Sequence, residues 1–539
     1  MNKKILSISI SMLLILISIL TVSGELNRST ILEIKKNTNN NKYPLPPPIS
    51  IDMILEESIC RRMSVRSFTS EQVTDEELST ILWAAYGYTD DGKRGIYNPD
   101  EIYSTVIYVI RSDATYKYIP ENHSLSLFKP GNYLYIGQYD NAPIKFGLVW
   151  NKSITTDELF GMSEIGMIGQ NIYFNANALD LGTVTTGYGV EELNVLGLPS
   201  NEKPEIIMPL GHPSPPYNFT YRPLPPSNLP SIVNNTYTLE KCINNRLICK
   251  KWDNNPLSDI EESQLIWSSY GYSYLLDDTN DRHRTVPSAV GIYPFKIYAA
   301  NKDGVYLYNP STHSISTIVE EDRREEINNS LGSNDIWAAS ATWIIIPFYN
   351  TNTNPQYIVW WYYEVGAISH NIILEATALN LSSNIITDIS DVSGLRSALG
   401  ISSQTNLQPW FVIPVGHPFS ENPNNPPEKP NISGPAKGSV KIEYDYNFNS
   451  TDPDGDDIFY YIHWGDGNNS GWIGPFHSGE IITQSHKWSK KGTYYIHCKS
   501  KDINNIESEW ASYQVTMPRN KSIINSSLIN IIKHLLLIK

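Results

Sequence analysis

The pattern of apolar and polar positions predicts the same run of elements twice along the chain. Each run has a short helix, a second helix, a strand, a long helix rich in small residues and a final apolar strand. The second helix begins with a capping box in both runs, from Thr74 to Glu77 and from Ser258 to Glu261. Helices and strands mixed in this order predict an α+β fold.

Direct comparison of the two runs indicates an internal repeat. Residues 60–87 match residues 244–271, and residues 164–182 match residues 364–382. The closing segments MPLGHP and IPVGHP match as well, with an offset that grows slowly along the chain. Insertions in surface loops produce such a drift. Two homologous domains of roughly 180 residues are therefore expected.

A different pattern follows a linker that is rich in Pro and Asn. Short stretches of alternating apolar and polar residues, separated by DPDGDD and WGDGNNSG, predict an all-β Ig-like sandwich over residues 435–517. Four carboxylates in the first turn allow either a Ca²⁺ site or an Asx-rich turn without metal, and the second is favoured. They are Asp452, Asp454, Asp456 and Asp457.

The first 24 residues carry the three parts of a secretory signal peptide. Lys3 and Lys4 precede an apolar run from Ile5 to Val22, and small residues follow. An uncleaved membrane anchor remains the alternative. N-x-S/T sequons give weak support for export, so we expect an extracellular or cell-surface protein. The sequons include Asn122, Asn151, Asn218, Asn234, Asn468 and Asn525.

Composition excludes some partners and sites. A net charge of −15 argues against nucleic acid, because there is no excess of basic residues to replace counterions. Four cysteines are too few for a disulfide framework in 539 residues. Neither C-x-x-C nor H-E-x-x-H occurs, so no metal site is predicted.

Three motifs, each in order within the repeats, resemble the FMN-dependent nitroreductase family. They are RRMSVRSF, the stretch from GMIGQN to ALDLGTVTTG, and MPLGHP. RTVPSAVGIYP, followed by GVYLYNPSTHSIS, resembles more specifically the SagB-type dehydrogenase branch of that family. WGDG followed by SHKWSKKGTYYI resembles the PKD type of Ig-like domain. The resemblance implies FMN as cofactor and an oxidoreductase activity.

The Arg motif suits the phosphate of FMN. Arg62, Ser64 and Arg66 recur at every second position, so all three can face one ligand if the chain is extended there. Arginine and hydroxyl groups are suitable donors to a phosphate. By resemblance, Arg222 is a further phosphate contact, and Thr186-Gly187 is the turn that faces the flavin ring.

Members of this family typically pair as homodimers, and the tandem repeat can form that dimer within one chain. Repeat 2 has Ile248 where repeat 1 has Ser64, whereas repeat 1 has Tyr97-Asn-Pro-Asp-Glu101 where repeat 2 has Pro287-Ser-Ala-Val-Gly291. We therefore expect an asymmetric intrachain pseudo-dimer with one FMN site. Its residues are Arg62, Ser64, Arg66, Thr186, Gly187, Arg222, Pro287, Ser288, Ala289 and Gly291.

The predicted function is that of an exported FMN-dependent oxidoreductase acting on an unknown small molecule or peptide. The protein is expected to be a monomer, with cell-surface association possible, and no catalytic acid or base is assigned. The alternative is a non-catalytic surface protein on a decayed nitroreductase scaffold. The predicted divisions are a signal peptide (1–24), a linker (25–44), two nitroreductase-like domains (45–228 and 229–420), a linker (421–434), the Ig-like domain (435–517) and a tail (518–539).

Overall fold

The computed structural model describes residues 42–277, 279, 281–332, 337–419, 425–503 and 506–518. The chain divides into two compact units, with the boundary between Phe419 and Ser420. Both repeats lie in the first unit, and the predicted Ig-like domain lies in the second. The predicted signal peptide and nearly all of the predicted tail lie outside the described residues.

Repeat 1 contains a seven-stranded antiparallel sheet in the order β1-β4-β3-β2-β5-β7-β6. The second and third of its three helices share an apolar core with this sheet, and the first packs on the third. The capping box predicted at Thr74 and Glu77 is present. The helices are α1 (Leu55–Arg61), α2 (Asp75–Tyr86) and α3 (Glu158–Ala178). The strands are β1 (Lys42–Pro44), β2 (Thr105–Ile110), β3 (Ala114–Ile119), β4 (Ser124–Pro130), β5 (Ile144–Asn151), β6 (Gly182–Thr183) and β7 (Glu202–Gly211).

Repeat 2 repeats this architecture, with a sheet in the order β13-β12-β11-β14-β17-β15 and β16 paired to β14. A short ribbon, β8-β9-β10, joins the two repeats. The helices are α4 (Leu239–Asn244), α5 (Asp259–Tyr270), α6 (Arg324–Asn328), α7 (Ile358–Ala378) and α8 (Val392–Ala398). The strands are β8 (Thr220–Tyr221), β9 (Tyr272–Leu276), β10 (Arg282–Arg284), β11 (Phe295–Asn301), β12 (Gly304–Asn309), β13 (Ser314–Val319), β14 (Trp343–Asn350), β15 (Ser382–Ser383), β16 (Leu407–Pro409) and β17 (Ile413–Gly416).

The long helices α3 and α7 form the seam between the repeats. A Cβ on Gly166 would lie 2.0 Å from the Tyr363 carbonyl oxygen, and a Cβ on Gly366 would lie 2.0 Å from that of Ser163. Only glycine permits this backbone approach. One apolar core runs through both repeats across this seam. The predicted α+β pseudo-dimer within one chain is confirmed.

Two strands fall inside segments predicted as linkers. β1 pairs with β4 although it lies within 25–44, and β18 (Asn431–Ser433) lies within 421–434 and pairs with the next strand. Both segments contain Pro and polar residues, which have a low propensity for strands. Pairing with a neighbouring strand at a sheet edge outweighs that propensity.

The C-terminal unit consists of two antiparallel sheets, in the orders β18-β19-β22 and β21-β20-β23-β24. Its apolar core includes the fully buried Trp488 and Tyr446. This confirms the predicted all-β region. The strands are β19 (Tyr444–Asn449), β20 (Ile458–His463), β21 (Asn469–Phe476), β22 (Ile482–His486), β23 (Gly492–Asp502) and β24 (Ala511–Met517).

The acidic turn of the C-terminal unit is an Asx turn. One side-chain oxygen of Asp452 accepts the backbone N–H groups of Asp454 (2.9 Å) and Asp456 (3.2 Å). Within the described ranges, no group of three His, Cys, Asp or Glu side chains is arranged to hold a metal ion. Nor does any helix of the described part have both the length and the hydrophobicity to cross a bilayer.

Candidate functional site

A cavity of about 480 Å³ lies between the two repeats, and both contribute to its walls. Repeat 1 supplies the segment after α1, the segment after β6 and two tyrosines. Repeat 2 supplies the loop of residues 287–291, called the Pro-Ser loop below, and the beginning of α7. The lining residues are Ser64, Arg66, Tyr139, Tyr173, Val184, Thr185, Thr186, Gly187, Tyr188, Pro287, Ser288, Ala289, Val290, Tyr357, Trp360 and Tyr363.

The Arg motif is extended because α1 ends at Arg61. Arg62 has left the helical region (φ −59°, ψ 112°), and the Val65 N–H donates to the Thr183 carbonyl at 2.9 Å. Alternation along this extended segment turns Ser64 and Arg66 to the cavity and buries Val65. The Arg66 side chain is exposed, and its Nη1 donates to the Ser64 carbonyl at 3.2 Å.

Arg62 lies behind the cavity wall rather than in it. Its Nε donates to the Arg284 carbonyl at 2.9 Å, and its guanidinium lies 5.3 Å from the ring centre of Tyr173, which does line the cavity. The Nη1 atom is buried and has no hydrogen-bond partner. Arg62 therefore brings a positive charge with an unused donor beside the site.

A chain of hydroxyl groups forms the inner wall. The Tyr173 hydroxyl lies 3.3 Å from Ser64 Oγ and accepts the Thr185 N–H at 2.7 Å. Thr185 Oγ1 lies 3.0 Å from the Tyr363 hydroxyl, across the boundary between the repeats. Burial raises the pKa of Tyr363 well above its ordinary value, so it remains a neutral hydroxyl.

Gly187 marks a close approach between the repeats. A Cβ at this position would lie 1.8 Å from Cζ2 of Trp360, which also lines the cavity. Its neighbour Thr186 pairs with Ile207 of β7 through two backbone hydrogen bonds. Since Ile207 belongs to the sheet, the turn that carries Gly187 is held rigidly against Trp360.

The Pro-Ser loop of repeat 2 closes the cavity from the other side. Ser288 Oγ forms a hydrogen bond of 2.6 Å with Oε2 of the buried Glu364 and accepts the Tyr293 N–H at 2.9 Å. Val290 has positive φ (47°) and is highly exposed, which is an unfavourable conformation for a β-branched residue. Strain of this kind often accompanies functional loops.

Seven of the ten predicted site residues line the cavity, and three do not. Arg62 lies behind the wall, as described, and Gly291 is exposed just beyond Val290. Arg222 is exposed, and its backbone continues the ribbon through hydrogen bonds with Tyr274 and Arg282. Arg222 is therefore held in the ribbon by its backbone, and it does not line the cavity.

The cavity suits an anionic ligand with a flat apolar part. Among its lining residues in the described part of the chain there is one cation, Arg66, and no carboxylate. The remaining lining is aromatic, small or hydroxylic, which suits a planar ring with a few polar atoms. The buried, unpartnered Nη1 of Arg62 adds an unused donor. These features fit FMN.

The aromatic residues from α7 had no separate signal in the sequence. Tyr357, Trp360 and Tyr363 recur at helical spacing, which predicts a buried face as well as it predicts a binding site. In repeat 1, the equivalent helix has Asp157, Phe160 and Ser163 at these positions. That difference between the repeats was the available signal.

A second cavity of about 610 Å³ occupies the equivalent place on the other side of the seam. It combines the Arg segment of repeat 2 with the Tyr97–Glu101 loop of repeat 1. Ile248 replaces the serine, and Glu101 places a carboxylate in the lining. The charged lining residues are Lys93, Arg94, Glu101, Arg246 and Lys250.

Comparison with known proteins gives one family. The model of the nitroreductase family matches residues 59–212 and 243–417. A protein of Methanocaldococcus jannaschii that carries a nitroreductase assignment is 35% identical over 181 residues, which are 29% of this chain and 90% of that protein.

Solved structures give similar matches. A Ralstonia eutropha protein with a nitroreductase assignment is 23% identical and covers 33% of this chain and 91% of its own (TM-score 0.31). A Desulfovibrio desulfuricans structure described as a nitroreductase in complex with FMN is 17% identical and covers 34% of this chain and 88% of its own (TM-score 0.25). A PKD domain of an M14-like peptidase from a Thermoplasmatales archaeon is 53% identical and covers 18% of this chain and 99% of its own (TM-score 0.18).

The two segments matched by the family model coincide with the two repeats and together make up more than half of the chain. Both also have the same helix and strand order around the shared seam. This protein therefore belongs to the nitroreductase family, with two copies of the family domain in one chain.

Proposed function

We propose that this protein is an FMN-dependent oxidoreductase that binds one flavin per chain in the cavity between its repeats. The observation that carries the proposal is the composition of that cavity. The cation and hydroxyl of repeat 1 face the Pro-Ser loop of repeat 2, with no carboxylate among the described lining residues. Membership of the nitroreductase family supports a flavin oxidoreductase.

Each part of the wall has a role toward FMN. Arg66 and Ser64 would hold the phosphate, since an exposed guanidinium and a hydroxyl are donors that suit it. Gly187 permits Trp360 to pack closely on the backbone of the wall, and Tyr357, Trp360 and Tyr363 would exclude water from the ring system. The bound flavin supplies the redox chemistry itself.

Three finer assignments belong to the same proposal. The resemblance of residues 284–294 and 304–316 to the SagB-type branch favours oxidation of a substrate, either a small molecule or a peptide. The N-terminal apolar run and the sequons favour export to the cell surface or the medium. Since both halves of the site lie in one chain, a monomer is sufficient for binding.

The test is a titration of purified protein with FMN, followed by absorption and by quenching of flavin fluorescence. We expect one FMN per chain. Arg66→Ala removes a charge-assisted contact and is expected to weaken FMN binding about tenfold to a hundredfold. Lys250→Ala is the matched control, because Lys250 lines the second cavity.

Each other result has a definite meaning. Two FMN molecules per chain, or equal losses in the Arg66 and Lys250 variants, would show that the two cavities are equivalent. Protein that is colourless when purified and does not bind added FMN would favour the alternative of a non-catalytic scaffold.

A further inference from the structure

The two repeats use equivalent buried glutamates in different ways. Glu164 of α3 and Glu364 of α7 are fully or nearly fully buried and occupy matching positions. Each accepts a hydrogen bond from a tyrosine hydroxyl, Tyr86 for Glu164 (2.9 Å) and Tyr270 for Glu364 (2.5 Å). The difference lies in their remaining partners.

Glu164 is tied to the backbone of its own repeat. Its carboxylate accepts the N–H groups of Ser104 (2.9 Å) and Thr105 (2.7 Å) at the start of β2. Such contacts satisfy a carboxylate without any link to a cavity. Asn98, which matches Ser288, hydrogen-bonds within its own loop, to the backbone of Asp100 and Ile102.

One substitution in repeat 2 changes this arrangement. Pro294 stands where repeat 1 has Ser104, and proline has no N–H to donate. Phe295 N–H donates to the Tyr270 hydroxyl (3.3 Å). Oε2 of Glu364 instead forms a hydrogen bond of 2.6 Å with the Ser288 hydroxyl, and Ser288 lines the cavity. Because Pro294 offers no N–H, Glu364 hydrogen-bonds to Ser288, and this bond links a buried carboxyl to the proposed flavin site.

The protonation state of Glu364 decides what Ser288 offers to the cavity. Ser288 Oγ already accepts the Tyr293 N–H, so it has one hydrogen and one further lone pair. Ionised Glu364 takes that hydrogen. Protonated Glu364 donates to the lone pair instead, which frees the Ser288 hydrogen for a ligand. The acceptors on a flavin ring are its carbonyl oxygens and unprotonated nitrogens.

We propose that Glu364 is a positioning residue that sets the direction of the Ser288 hydroxyl, which donates a hydrogen bond into the cavity only while Glu364 is protonated. This inference rests on the proposed FMN site. The groups that face Glu364 are the hydroxyls of Tyr270 and Ser288 and, at longer range, Tyr293 and the cation Arg284.

Burial supports a protonated Glu364 at neutral pH. Desolvation raises the pKa of Glu364 to about 8, and it outweighs the opposing effects of Ser288, Tyr270 and Arg284. Affinity for FMN should therefore fall as the pH rises through this value. The loss of one hydrogen bond predicts a decrease of about threefold to tenfold.

The experiment measures FMN affinity of the full chain by fluorescence quenching from about pH 6 to about pH 10. Glu364→Gln keeps the shape and donates permanently to Ser288, so its affinity should stay at the low-pH level of the wild type. Ser288→Ala removes the donor and should stay at the high-pH level. Titration of FMN itself is common to all variants.

Glu262→Gln is the matched control. Burial raises the pKa of Glu262 to about 7, but its partner is Asn301 and it does not line the cavity. FMN affinity of this variant should still decrease as the pH rises, as it does in the wild type. If FMN affinity of Glu364→Gln still decreases as the pH rises, the inference is wrong. Should the glutamine variant not fold, the same result in Ser288→Ala overturns the inference. Absence of FMN binding at every pH would instead remove the proposed function on which the inference rests.

Discussion

The two cavities occupy equivalent places, but the buried arginine beside each one makes different hydrogen bonds. Arg246 donates from both Nη atoms to the carbonyl groups of Ile243, Arg94, Gly95 and Ile96. Arg62 makes one hydrogen bond, from Nε to Arg284, and its Nη1 is left without a partner. In one cavity the guanidinium fastens the opposing loop, and in the other it remains available as a charge.

This difference shows that the two cavities of a duplicated domain can diverge while the architecture is kept. The symmetric core is retained, since Arg94 and Arg284 both lie over the rings of tyrosines from equivalent helices, Tyr86 and Tyr270. Among the differences are those in the segments that face the cavities, where Ile248 replaces Ser64 and the Tyr97–Glu101 loop replaces Pro287–Gly291. Such segments carry function, whereas the core carries stability.

The largest predicted effect separates the two arginines. Arg246→Met removes a buried group that binds several carbonyls and should lower the free energy of unfolding by about 3 kcal/mol. Arg62→Met should cost about 1 kcal/mol in stability, because only one hydrogen bond is lost, but should weaken FMN binding. Urea denaturation and FMN titration of both variants measure this. Equal stability losses would contradict the comparison.

The second prediction concerns the pH dependence of stability. The pKa of Glu364 rises from 4.5 to about 8 on folding, so its contribution is fully present below pH 4.5 and is lost as the pH rises to about 8. The free energy of unfolding of Glu364→Gln should therefore rise relative to that of the wild type across this window, by on the order of 4 kcal/mol. Urea denaturation without flavin at both ends of the window tests it. A constant difference would contradict the prediction.

The third prediction uses the close approach at Gly187. Gly187→Ala places a Cβ 1.8 Å from the present position of the Trp360 ring, so the ring must move, and the cavity is the free space beside it. FMN affinity should fall at least about tenfold. Thr387→Ala, at the equivalent position of repeat 2, is the control and should bind FMN as the wild type does. Unchanged binding by Gly187→Ala would show that Trp360 has room to move elsewhere.

The smallest effect is predicted at Val290, which matches Asp100 of repeat 1. Its positive φ favours Asn or Asp over valine, so Val290→Asn should stabilise the fold by about 1 kcal/mol. Val290→Asp should stabilise it similarly but weaken FMN binding a fewfold by adding a negative charge to the cavity wall. Thermal melts and FMN titration of the pair separate strain from charge.

Much of the fold was accessible from the sequence. The repeat, the two capping boxes and the alternating strands of the C-terminal unit each depend on local spacing, which a single sequence displays. The site was accessible in part. Ser64, Arg66 and Ser288, which line the cavity, were predicted as site residues because a motif and its loss in the other repeat mark them.

The placement of the other residues, inside or outside the cavity, depends on contacts that spacing does not encode. Arg222 belongs to a segment that pairs with β9 instead of reaching the cavity. Tyr363 reaches Thr185 across 178 positions of the chain, at the point where α3 and α7 meet at two glycines. Their meeting fixes which aromatic residues line the cavity.

By itself the sequence determined that this chain holds two related α+β domains and a β-sandwich, since periodicity, capping and repetition are local properties. It also determined which halves of the motif each repeat retains. Only the tertiary structure decided that Arg62 lies behind the wall, that Trp360 covers Gly187 and that Glu364 reaches Ser288. Those facts arise because packing across the α3–α7 seam joins residues far apart in the chain, and because Pro294 has no N–H to hold Glu364.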